Sequence, residues 1–180
     1  MTGHTPLLTM HDGSDEDAQV IAVSHLPHFS KNFKIGLGDA KGPPDAMHWE
    51  DLMTEKSGIK HRWAMALGDG SADVEFGAGE EAGEDGKTGR RRTLLWTRTK
   101  HVMVDGMHKP TFSAQNYKLT EDHGQDSEST SDGKDKEIVA VFTSTTARGE
   151  IGKIQINVNH GRDFDIMVWM TCLTIYWAGR

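Results

Sequence analysis

Cysteine is nearly absent: Cys172 stands alone among 180 residues. That excludes an internal disulfide, and nothing in the composition points to an oxidising compartment. A surplus of positive charge is missing too. The formal net charge of −7 opposes non-specific binding of nucleic acid or anionic lipid by the whole molecule, while still allowing a local basic patch. Apolar residues are scarce, at 36%, so some segments are expected to stay outside the packed core. Residues 1–10 hold neither a basic n-region nor an apolar h-region, so no secretory signal is expected. Gly-x-Ser-x-Gly, P-loop, GxGxxG and His-Glu-x-x-His patterns are all absent. Together these absences predict a cytoplasmic, non-enzymatic protein without a cofactor.

What is present is most informative at residues 164–180. Asp163 suits a helix N-cap and Asp165 the positive end of the helix dipole. Gly179 suits the C′ stop, with Arg180 beside the negative end. Between these signals there is almost no polar face. A helix that is apolar all round is either wrapped by protein or sits in lipid. The run from Phe164 to Ala178 is about fifteen residues, whereas a bilayer needs roughly 20. A tail-anchored membrane protein is therefore the alternative, and a helix enclosed by a sheet is the expectation.

The rest of the chain supplies that sheet. Short strands are expected at residues 19–23 and 33–37. A hairpin is expected between 61–67 and 72–76, and a longer strand over 94–104. Clean alternation marks residues 116–120, and residues 153–158 alternate apolar with polar. Residues 137–143 form an almost continuous apolar and β-branched run. Asp45 is a candidate cap for a short helix carrying Met47, Trp49, Leu52 and Met53. Residues 1–17 are small, polar and acidic, and are expected to be a disordered tail. Residues 18–180 then form a single domain, with long polar loops at 77–92 and 121–136.

Several of these strands resemble one family in order and spacing. Leu95-Trp96-Thr97-Arg98-Thr99, Asn116-Tyr117-Lys118-Leu119, Glu137-Ile138-Val139-Ala140-Val141-Phe142 and Gly152-Lys153-Ile154-Gln155-Ile156 precede the apolar helix. This series resembles the small fungal proteins of tubby C-terminal-like fold, relatives of the plant LURP-one and phospholipid scramblase folds. The resemblance implies a mainly β protein with a C-terminal α-helix, an antiparallel β-barrel enclosing that hydrophobic helix. It also implies an intracellular binding or scaffold domain, peripheral at a membrane and engaging a phosphoinositide or other lipid headgroup, or a protein.

Candidate chemistry is thin. Of the ten histidines, His25 with His28 and His101 with His108 are the close pairs, and neither has a zinc spacing. No metal is expected, and surface or structural histidine is the simpler assignment, which leaves an enzyme of unknown type as a third class. Cys172, among Met170, Leu173 and Ile175, is expected to be a buried, inert thiol. Trp63, Trp96, Trp169 and Trp177 are expected in the core. The candidate ligand-binding residues are Arg90, Arg91, Arg92, Arg98 and Lys100, because clustered cations near a strand start suit phosphate oxygens. The carboxylates at Glu80, Glu81, Glu84 and Asp85 in the adjoining loop would partly offset them.

Overall fold

The computed structural model describes residues 5–43, 46–67, 90–100, 102, 104, 105, 115–122, 137–145 and 149–179. Nine strands run β1 (Leu8–His11), β2 (Val20–His25), β3 (Phe33–Leu37), β4 (His48–Glu55), β5 (Lys60–Leu67), β6 (Arg90–Arg98), β7 (Tyr117–Glu121), β8 (Ile138–Ser144) and β9 (Gly152–Ile156). Helix α1 (Arg162–Ala178) follows. Each strand pairs antiparallel with the next, so the sheet order is the chain order. Among the described residues the sheet is open: β1 and β9 each have one neighbouring strand.

Inward positions follow the period of two that a half-buried strand imposes. On β5, Trp63, Met65 and Leu67 are buried between partly or fully exposed neighbours. Their partners across the ladder, Leu94 and Arg92, share that face. β8 departs from alternation, with every residue from Val139 to Ser144 buried. After β6, the Asp105 N–H donates to Gln155 Oε1 on β9, the strand beside β8, at 2.6 Å.

α1 lies against the inner face and is held from several directions. Thr174 donates to the Ser24 hydroxyl on β2 at 2.9 Å. Phe164 packs against Trp63 of β5, and Tyr176 meets Phe142 of β8 edge-on. Trp96 of β6 donates its indole N–H to Thr171 at 2.9 Å. Phe164, Met167, Val168, Met170, Cys172 and Ile175 are buried in the main cluster. Gly179 ends the helix as expected, its N–H bonded to Ile175 O at 3.1 Å. The start differs: Gly161, at φ 88, occupies the N-cap, and Asp163 lies inside the first turn with Asp165. Both carboxylates still complement the dipole from there.

Three local expectations are corrected. Residues 8–11, inside the segment expected to be a disordered tail, form β1, because Leu7, Leu8 and Met10 supply an apolar face that packs on the core. The acidic stretch after them is the turn into β2, where Gly13 takes φ 137. The helix expected after Asp45 is strand β4, since Leu52 pairs with Phe33 across the ladder and both are buried. β5 pairs with β6, while the expected hairpin arm at 72–76 lies outside the described residues. Of the loop expected over 77–92, residues 90–92 belong to β6, and Glu121 of the second loop ends β7. The remainder of both loops, apart from Asp122, lies outside the described residues.

Candidate functional site

The five basic candidates do not form one patch. Arg90, Arg91, Arg92 and Arg98 all lie on β6, with Lys100 just beyond it. At 3.3 Å per residue, Arg90 and Arg98 stand roughly 26 Å apart along the strand. Arg91 pairs with Glu50, whose side chain is 4% exposed. Arg92 Nη1 lies 3.2 Å from Glu121 Oε2. On the neighbouring strand, Arg62 bridges Glu55 at 3.0 Å and Asp122 at 3.2 Å. Arg98 stands opposite Tyr117, whose phenol burial pushes above its ordinary range against the pull of that guanidinium. The Arg90 side chain lies outside the described residues. Arg91 and Arg92 are thus engaged in charge pairs within the sheet.

Glu50 is a residue that sequence reasoning passed over. It accepts from Arg91 on one oxygen and lies 2.9 Å from His48 Nε2 on the other. A buried carboxylate needs such partners. Its inward parity on β4, two residues from Leu52, was the available signal. Among the described residues, no three metal-ligating side chains converge.

The more consequential arrangement is beside β1, at one edge of the sheet. Along α1, Ile166, Trp169, Leu173 and Trp177 fall on one stripe by helical spacing. These are the large apolar helix residues left partly exposed, with Trp169 at 41% and Trp177 at 49%. The expectation of four core tryptophans therefore holds for Trp63 and Trp96 and fails for Trp169 and Trp177. A groove of about 330 Å³ opens beside this stripe. Leu8, Met10, Met170 and Leu173 supply its apolar lining, and Asp15 and Glu16 stand on its rim. Arg162 at the helix start bonds Asp12 at 2.6 Å, tying the turn after β1 to α1. Cys172 faces away from this groove into the core, where burial pushes its thiol well above the ordinary range. It is no nucleophile at neutral pH.

Comparisons with protein-family models, with curated proteins and with solved structures find no match.

Proposed function

We propose that this chain is a non-enzymatic binding domain, an open barrel whose gap presents α1 to a partner. One observation carries the reading. A helix with almost no polar side leaves Trp169 41% exposed. Leaving part of a large aromatic in water forfeits some of the free energy its full burial would give, and exposed apolar residues beside a groove are typical of a recognition surface. The tubby-like resemblance supports the same class, a scaffold that binds rather than a catalyst. An anionic lipid headgroup is the weaker version of this reading, because Arg91 and Arg92 already neutralise Glu50 and Glu121.

The test uses a neutral solvatochromic dye, Nile red. The folded wild-type protein should shift its emission to the blue, and Trp169→Gln with Leu173→Gln should abolish the shift while the protein stays cooperatively folded. A folded wild type that leaves the dye in its aqueous state would remove the surface reading.

A further inference from the structure

We infer that the groove takes an extended polypeptide segment from another protein, added as a strand along β1, with apolar side chains flanked by lysine or arginine. The inference rests on the binding-domain reading above and gives its partner a chemistry.

Three features of the gap point this way. First, β1 has a strand neighbour on one side, among the described residues, so its outer edge offers backbone donors and acceptors. Natural edges are usually blunted by charge. β9 follows that rule with the exposed Lys153, whereas Leu8, Thr9, Met10 and His11 of β1 include no lysine, arginine or carboxylate. An added strand would satisfy that edge, the recognition mode known as β-augmentation.

Second, alternate side chains of a strand docked there face the helix. They would meet Leu8, Met10 and Leu173. The modest volume of the groove suits a few aliphatic side chains rather than a folded surface.

Third, the rim is acidic and uncompensated. Asp15 and Glu16 line the groove and Asp17 follows. Asp12 is held by Arg162, but among the described residues no cation pairs with Asp15, Glu16 or Asp17. Cationic flanks on the ligand would complement that field. The same charge disfavours two other occupants. A second copy would bring its own net −7 to this face, and an anionic membrane would be repelled.

The experiment measures binding of labelled peptides of about six residues, a common strand length, by fluorescence anisotropy. One peptide alternates valine with lysine, and its control alternates valine with glutamate. The valine–lysine peptide should bind wild-type protein and the control should not. Affinity should fall about tenfold in the Asp15→Asn, Glu16→Gln double variant and should weaken with salt. Both positions are exposed, so the variant keeps its fold. Backbone amides of β1 should gain exchange protection in the complex. Equal affinity for the two peptides, or binding insensitive to the rim variant, would overturn the inference. Dye binding without peptide binding would remove the strand partner and leave the apolar surface standing. Concentration-dependent dimerisation that buries Trp169 and excludes the peptide would assign the groove to a second copy instead.

Discussion

Trp96 and Thr171 meet in the centre of the molecule, both completely buried, with the indole N–H donating to the threonine hydroxyl at 2.9 Å. The hydroxyl in turn donates to the Met167 carbonyl at 2.7 Å. One side chain thus satisfies a sheet donor and a helix acceptor, and fixes how far α1 sits along β6. Trp63 offers a contrast, since its buried indole nitrogen makes no hydrogen bond among the described residues.

Thr171→Val keeps the shape of the side chain and removes the acceptor. An unsatisfied buried donor costs about 1–3 kcal/mol, so urea denaturation should show a loss of that size. Trp63→Phe, which deletes a donor already without a partner, should cost only its lost volume. Equal stability of Thr171→Val and wild type would show that the contact contributes nothing.

Helix truncations should sort by their distance from the gap. Met167 is fully buried, and Met167→Ala should destabilise by about 2–5 kcal/mol. Leu173, half-buried beside the groove, is already wet on one side, so Leu173→Ala should cost roughly 1 kcal/mol. Similar midpoints for the two variants would mean that the gap is closed in solution.

His61 should make the fold sensitive to acid. It is 5% exposed, and burial holds its pKa below the ordinary 6.5, against the opposing effect of the Gly58 carbonyl. Its neutral form fits the site, with Nε2 3.2 Å from Gly58 O and Nδ1 3.3 Å from the Thr54 hydroxyl. The unfolded chain takes up the proton first as pH falls. Stability is therefore fully present above 6.5 and declines as pH drops from there through the folded value. His61→Gln should flatten the dependence of the denaturation midpoint on pH over that interval. An unchanged slope would show that other groups set the acid sensitivity.

Much of the architecture was legible in residue order. Alternation located β7 and β9, and a β-branched, apolar run located β8, because strand side chains must choose one of two faces. α1 was legible because its apolar content and glycine stop have a single helical solution. The errors came where a short apolar pattern sat in polar surroundings or where helix and strand periods overlapped. Leu7, Leu8 and Met10 are too few to outweigh the acidic residues after them, yet they suffice for an edge strand once β2 offers a ladder. Met47, Trp49, Leu52 and Met53 fit a helical stripe, but pairing with β3 decides for strand.

The candidate site divides in the same way. Residue types and spacing identified a basic cluster and an all-apolar helix, since both are properties of the chain itself. They carried no information on what those residues would face. Glu50 and Glu121, from β4 and β7, neutralise Arg91 and Arg92 only after β6 is inserted between its neighbours. A helix without a polar face also has no sequence signal for which side stays open. Part of that side lies along the edge strand β1, where Leu173 lines a groove together with the acidic turn of Asp15 and Glu16. Hydrophobic burial is non-directional, so sequence determined that α1 must be covered, and only tertiary structure decided which face was not.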